Sequence, residues 1–162
     1  MYWRGHVGLG LLAYAPVAGV VLGSGEFGLA VVGGLIAITV APLPDVDQSL
    51  SIPHRGPTHT LAFAVAAGVV AALAATVVLA AGAGAGVPPW TPAFVGGVVT
   101  LTLCSHIAGD ALTPMGIQPF RPLSGFHLTL DLTPAKNPRA NYLFLAVGVA
   151  ALGTVVALTA TG

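Results

Sequence analysis

Residues 58–81 read THTLAFAVAAGVVAALAATVVLAA and carry no formal charge. A helix needs roughly 20 mainly apolar residues to cross a bilayer, so this stretch alone predicts a membrane span. The bilayer interior offers no partner for backbone polar groups, and Val-rich and Thr-rich runs of this length therefore favour helices over strands.

The composition of the whole chain supports the same conclusion. Among 162 residues there are five Lys and Arg and five Asp and Glu, so that 6% are charged and 56% are hydrophobic. A soluble domain is about one quarter charged, and a disordered chain combines low hydrophobicity with high net charge. The formal net charge of zero gives no basic field for nucleic acid. We therefore expect an integral membrane protein with membrane lipids as its surroundings and no nucleic-acid partner.

The uncharged stretches predict an all-α, multi-spanning helical bundle that forms a single domain over residues 1–162. The second segment is short, and an N-terminal signal peptide is the alternative for the first, although its apolar run is longer than a typical signal. Gly19 and Gly23 form a GxxxG pair that favours close helix packing. The five predicted helices are residues 5–22, 28–42, 58–81, 91–112 and 141–159, with a long loop at 113–140.

Five alternating spans place all basic residues on one side of the membrane: Arg4, Arg55, Arg121, Lys136 and Arg139. The opposite side has Glu26 and no Lys or Arg. By the positive-inside rule the basic side is cytoplasmic. This predicts a protein of the cytoplasmic (inner) membrane with its N-terminus inside and its C-terminus outside.

Seven His and Asp residues are predicted to meet at that same face, although hydropathy alone did not require it: His6, Asp45, Asp47, His54, His59, His106 and Asp110. Ionisable residues near membrane depth are costly and are functional candidates by default. His106 and Asp110 are four apart on a predicted helix and share one face, as metal ligands can. The alternative is a plain hydrogen bond between two buried polar groups.

The stretch PLPDVDQSLSIPHRGPTHT, residues 42–60, is a proline-stiffened loop with two Asp and two His. Zn²⁺, Mg²⁺ and Mn²⁺ accept mixed imidazole and carboxylate ligands, so the loop is a plausible half-site. A solvated loop with capping groups is the alternative, with Thr58 as the N-cap of the third helix.

An N-terminal His followed by PDVD, HRGPTH and HIAGDALTPMG resembles the YdjM-like family of membrane-bound metal-dependent hydrolases. These motifs lie between His6 and Gly116. The resemblance implies a small multi-spanning membrane protein with metal ligands among five residues: Asp45, His54, His59, His106 and Asp110.

The order of these residues is also similar to the all-helical zinc phospholipase C and single-strand nuclease superfamily. That resemblance implies one metal among Asp45, His59, His106 and Asp110, with Asp110 bridging to a second metal that His6 also holds. The sequence departs from the pattern because Trp3 is internal and FHLTLD offers only His127 and Asp131 downstream. We interpret the latter segment as a lid or membrane-surface loop.

These residues favour metal-assisted hydrolysis of a phosphoester with one or two divalent ions, and a lipid phosphoester could reach the site laterally. Zinc is the first expectation, and magnesium and manganese are the others. Asp47, like Asp45, is a candidate base or ligand, His54 a candidate proton shuttle, and Arg55 a candidate phosphate clamp.

Two other classes of function remain open. In a non-catalytic membrane protein, a metal or polar cluster would pin helix ends while the protein scaffolds or shapes the bilayer. A proton or ion pathway would need polar groups along the whole bilayer depth, whereas here they gather at one face, which disfavours transport. The sequence does not indicate an oligomeric state.

Overall fold

The computed structural model describes residues 1–50, 52–83 and 86–161, and within them the protein is all-helical. Its five helices are each long and apolar enough to cross a membrane when the second, Phe27–Val40, is counted with the 3-10 turn Leu43–Ser49 that follows it. The described residues contain one isolated β-bridge, between Ile117 and Leu128, and no strand. The predicted fold class is thus confirmed. The helices are α1 Trp3–Gly23, α2 Phe27–Val40, α3 Leu61–Val78, α4 Thr91–Ala111 and α5 Pro138–Ala160.

The start of α3 differs from the prediction. A 3-10 turn, Pro57–His59, precedes the helix, and Thr60 rather than Thr58 is the N-cap, accepting a hydrogen bond from Phe63 N at 3.1 Å. The expectation that Thr58 caps α3 is therefore wrong. The turn instead directs the Thr58 hydroxyl to the Asp47 carboxylate, 3.1 Å away.

Helix α1 occupies the centre of the bundle and packs against α2, α4 and α5, while α3 packs mainly against α4. Tyr14 is fully buried in this core and donates a hydrogen bond to Ala30 O at 2.7 Å, so its hydroxyl is satisfied in an apolar interior. Few residues of α3 and α5 are buried. Their exposed apolar faces suit contact with lipid chains.

Helices α1 and α5 approach most closely at Gly8 and Gly148. A Cβ atom on Gly148 would collide with the Gly8 backbone, and one on Gly8 would collide with Phe144. In the GxxxG pair noted in the sequence, Gly23 has no neighbouring atom within 4 Å of a built Cβ. Gly19 also faces α5, since a Cβ there would lie 3.2 Å from Val155, but the closest approach of the two helices is at Gly8.

The segment after α4 folds back over the end of that helix. Leu130 N donates to Ala111 O at 2.7 Å and Leu132 N donates to Leu112 O at 2.8 Å. These bonds satisfy carbonyls that the helix end would otherwise leave unpaired. The segment thereby fixes the C-terminal turn of α4, which carries Asp110.

Candidate metal centre

Four side chains from three regions of the chain meet at one end of the bundle. Asp45 lies on the 3-10 turn after α2, His59 on the turn before α3, and His106 and Asp110 on α4. One ligand atom from each of the four lies within 4.8 Å of the other three. His59, His106 and Asp110 are fully buried, whereas the Asp45 side chain is 18% exposed. We call these four residues the quartet.

The distances within the quartet are short enough for shared ligation. The Nε2 atoms of His59 and His106 are 3.2 Å apart, and Asp110 Oδ2 is 3.3 Å from the first and 3.6 Å from the second. Asp45 Oδ1 is 3.7 Å from His59 Nε2 and 4.0 Å from His106 Nε2. The four atoms thus surround a small volume. Asp45, the partly exposed member of the four, lies between this volume and the solvent.

Hydrogen bonds behind the two rings decide which nitrogen faces the quartet as an acceptor. His106 Nδ1 is 2.7 Å from Ala41 O, and a carbonyl can only accept, so Nδ1 carries the proton. His59 Nδ1 is 3.0 Å from the Thr58 hydroxyl and 3.2 Å from Asp47 Oδ2. Because that hydroxyl donates its own hydrogen to Asp47, the His59 proton is likewise assigned to Nδ1. In the neutral rings, both Nε2 lone pairs therefore point into the quartet. A buried carboxylate or carbonyl behind a histidine is the usual support for a metal-binding imidazole.

The donor set fits a divalent cation. Two imidazole lone pairs and Asp110 Oδ2 converge, and that buried oxygen has no hydrogen-bond partner within the described residues. Burial lowers the pKa of His59, but the carboxylates of Asp110 and Asp45 outweigh burial and hold that pKa above its usual value. The quartet therefore favours a positive charge, and this group of His and Asp residues could hold a metal ion.

His6 lies beside the quartet and faces the other oxygen of each carboxylate. Its Nε2 atom is 3.5 Å from Asp110 Oδ1 and 3.8 Å from Asp45 Oδ2, and its ring stacks on His106 with centroids 3.5 Å apart. The α-amino nitrogen of Met1 is also close, 2.8 Å from Asp110 Oδ1. Asp45 and Asp110 thus each turn one oxygen toward the quartet and the other toward His6, whose Nε2 atom is itself 3.0 Å from the Met1 α-amino nitrogen.

Asp47 lies behind His59 rather than among the quartet. It is 1% exposed and accepts hydrogen bonds from Arg55 N at 2.9 Å and from the Thr58 hydroxyl, while its Oδ1 is 2.8 Å from His54 Nδ1. These contacts fit a residue that positions His59 and the 54–59 turn. They leave Asp47 poorly placed as the general base suggested by the sequence. His54 itself is 37% exposed.

Arg55 is committed to contacts within the protein. Its Nη2 atom is 2.8 Å from Asp110 Oδ1, and its Nη1 donates to the Thr113 hydroxyl at 2.9 Å and to Gly116 O at 2.8 Å. The guanidinium thus links the turn before α3 to the end of α4 and to the loop that follows α4. Nη1 uses both of its N–H groups, whereas Nη2 keeps one and Nε has no partner within the described residues. The Nε atom is buried and the side chain is 6% exposed, so Arg55 serves Asp110 better than a substrate in the cleft.

A cleft of about 640 Å³ leads to the quartet past Asp45. Its walls include His54, Arg55, the chain at 113–115 and the turn at 134–136. Lys136 on that turn is exposed and forms no ion pair within the described residues. The sequence predicted that Lys136 shares a side of the membrane with Arg55 but gave no sign that it lines a cleft. The turn is positioned by tertiary hydrogen bonds from Asn141 to Ala135 O and Asn137 O.

His127 and Asp131 lie on the segment that folds over α4. His127 Nε2 is 2.9 Å from Met115 O, and within the described part of the chain neither residue joins a cluster of metal-ligating groups. This placement agrees with the interpretation of the segment as a cover. Its action as a lid stays a prediction.

The fold and the cluster define a multi-spanning membrane protein with a buried His and Asp site that could hold a metal ion. The YdjM inner membrane protein family matches residues 1–161, and the chain belongs to this family. No curated protein matches the chain, and no solved structure does. The family match confirms the resemblance drawn from the motifs and the inner-membrane location, while the more distant likeness to zinc phospholipases and nucleases stays a prediction.

Proposed function

We propose that this protein is a membrane-embedded, metal-dependent hydrolase that acts on a phosphoester at the cytoplasmic face of the inner membrane. The observation that carries the proposal is the convergence of two imidazole lone pairs and an unpartnered carboxylate oxygen on one point, reached by a cleft past Asp45. A purely structural polar cluster would pair these acceptors with donors.

Asp45, His59, His106 and Asp110 would hold the first ion, and His6 with the outer oxygens of both carboxylates would hold a second. Zinc suits this mixture of imidazole and carboxylate best, and magnesium or manganese are the alternatives. Such an ion, when bound, acidifies water and stabilises charge on a phosphoryl oxygen.

The chain's own groups would then orient the substrate and move protons. His54 lines the cleft, and Asp47 orients its ring through Nδ1, so His54 can exchange a proton with a substrate oxygen through Nε2. Arg55 neutralises Asp110 Oδ1 and holds that side chain in place. The role of phosphate contact, first assigned to Arg55, passes to the exposed Lys136 ammonium at the cleft wall.

The position of the cleft favours a lipid substrate. Trp3 and Tyr142 are exposed at the same end of the bundle, and the Arg4 guanidinium lies over both rings, 5.0 and 5.4 Å from their centroids. Aromatic and basic side chains of this kind mark the headgroup level of a bilayer. A lipid phosphoester could therefore reach Asp45 and Lys136 without leaving the membrane.

The test is His106→Ala compared with His127→Ala, which removes an imidazole from the covering segment instead. We expect His106→Ala to lose most bound metal and phosphoester hydrolysis while still inserting into the membrane. His127→Ala should keep the metal. The measurements are elemental analysis of purified protein and a phospholipid and phosphodiester screen with and without chelator. Unchanged metal content in His106→Ala would refute the assignment.

A non-catalytic scaffold is the second candidate, favoured by one observation. The quartet joins the end of α2, the start of α3 and the end of α4, so a bound ion would cross-link three spans. In that case chelation would lower the thermal stability of the protein, and the metal-loaded protein would hydrolyse none of the phosphoesters in the screen. The enzyme requires an open coordination position, which the scaffold does not.

A further inference from the structure

A second groove lies between the first turns of α3 and the segment at 119–123. Leu61 N donates to Pro119 O at 2.9 Å, which holds the segment beside the helix. Leu61, Ala62 and Val65 form one wall, and residues 119–123 form the other, around a space of about 550 Å³. None of these residues lines the cleft that leads to the quartet. The groove is therefore a separate feature of the molecule.

Arg121 is the polar group with free bonding capacity in this groove. Its guanidinium forms no ion pair and no side-chain hydrogen bond within residues 1–50, 52–83 and 86–161. The groove has a second space, which shares Ala62, Arg121 and Pro122 with the first and is also lined by Thr60. The Thr60 hydroxyl donates to Pro57 O and accepts from Phe63 N. A ligand with a negative charge thus has one partner here, an arginine whose planar fork suits two phosphate oxygens.

The surroundings of Arg121 are apolar and exposed. Leu123 is 95% exposed, Phe120 and Phe126 are about half exposed and pack together with centroids 6.0 Å apart, and the exposed face of α3 continues from Leu61 to Val65 and beyond. Side chains of this kind on a membrane protein are covered by lipid rather than water. The groove therefore places a cation where the apolar surface of a span meets the headgroup level.

We propose that this groove binds an anionic glycerophospholipid, with its phosphate on Arg121 and an acyl chain along Leu61 and Val65. The apolar walls need a hydrocarbon chain, which free phosphate lacks, and the single unpaired cation favours a lipid with net negative charge over a zwitterionic one. This binding site is independent of the quartet and of any hydrolysis there.

The test uses the full chain in nanodiscs of equimolar phosphatidylglycerol and phosphatidylcholine, with retained lipids counted by native mass spectrometry. We expect wild type to retain phosphatidylglycerol preferentially and Arg121→Gln to bind it about fivefold more weakly, the factor for one charge beside an anionic surface. Arg139→Gln is the matched control, since Arg139 is an exposed basic residue on the same side of the membrane that lines neither space of this groove.

Ala62→Phe provides a second variant that fills the groove while keeping Arg121. It should also reduce the retained phosphatidylglycerol, and the metal content of all three variants should equal that of wild type. Equal retention in wild type, Arg121→Gln and Arg139→Gln would overturn the proposal. Equal retention of the two lipids, or displacement of the bound lipid by inorganic phosphate, would overturn it as well.

Discussion

At the scale of single residues, Asp47 links the turn after α2 to the turn before α3 without entering the quartet. Its two oxygens contact His54, His59, Thr58 and the Arg55 backbone. An aspartate in this position fixes the tautomer and direction of His59 and increases the basicity of its Nε2. Asp47 is therefore expected to control how well the quartet binds a cation.

Replacing Asp47 by Asn should weaken metal binding about 10–100-fold, the usual effect of losing a hydrogen-bond partner behind a metal-ligating histidine. The affinity is measured by competition with a chromophoric chelator. Asp131→Asn makes the same chemical change on an exposed residue and should leave the affinity unchanged. If both variants bind metal like wild type, Asp47 does not support the quartet.

The superfamily resemblance named all four residues of the quartet, whereas reasoning from the residues alone predicted it only in part. His106 and Asp110 could be paired because helical spacing fixes their common face. Asp45 and Asp47 could not be distinguished, because they lie two residues apart on a 3-10 turn whose direction depends on tertiary contacts. The role of Arg55 was missed because its backbone adopts a positive φ of 57°, a conformation that nothing in the sequence indicated.

At the scale of helices, α3 and α4 are held together by the close approach of Gly68 and Gly96. A Cβ on Gly96 would meet Gly68 O at 2.6 Å and the Cβ of Ala72 at 2.9 Å, whereas a Cβ on the adjacent Gly97 would meet nothing within 4 Å. The two glycines therefore differ in environment while sharing sequence context and helix propensity.

Gly96→Ala should separate α3 from α4 and destabilise the protein by about 1–3 kcal/mol, as overpacking of a close contact does. Gly97→Ala should be neutral or slightly stabilising, because alanine has the higher helix propensity. Thermal unfolding in detergent, followed by circular dichroism, measures both variants. A Gly97→Ala variant that unfolds earlier than Gly96→Ala would contradict the packing described for these helices.

The existence of all five helices was predictable, since each contains an apolar run with no charge between its end turns. Their ends were not. Helix α5 begins at Pro138, before the predicted start, because Asn137 accepts hydrogen bonds from Arg139 N and Ala140 N. Hydropathy predicted that α5 starts after Arg139, because that residue is charged, whereas the helix begins directly after its N-cap, Asn137. The prediction that residues 1–162 form a single domain remains a proposal.

At the scale of the whole molecule, the basic residues and the quartet lie at the same end of the bundle. The quartet joins the end of α2, the start of α3 and the end of α4. The basic residues lie in the loops and first helical turns at that same end, whereas Glu26 precedes α2 at the other end. The positive-inside rule then predicts that the quartet faces the cytoplasm.

A C-terminal fusion tests this orientation. Five spans with the N-terminus inside put the C-terminus outside, so a C-terminal alkaline phosphatase should be active and a C-terminal green fluorescent protein should stay dark in intact cells. The same reporters fused to a variant truncated after α4 should show the opposite pattern. A fluorescent full-length fusion would reverse the topology and move the quartet to the outer face.

The contact of α5 with α1 also has a consequence for the order in which the protein is made. Every member of the quartet precedes Ala111, whereas α5 starts at Pro138 and, through Asn141, holds Ala135 in the wall of the cleft. During synthesis the four ligands can therefore gather while that wall is still absent. Under the proposed function, an ion can therefore enter the quartet by an open route before α5 is made and Ala135 takes its place in the cleft wall.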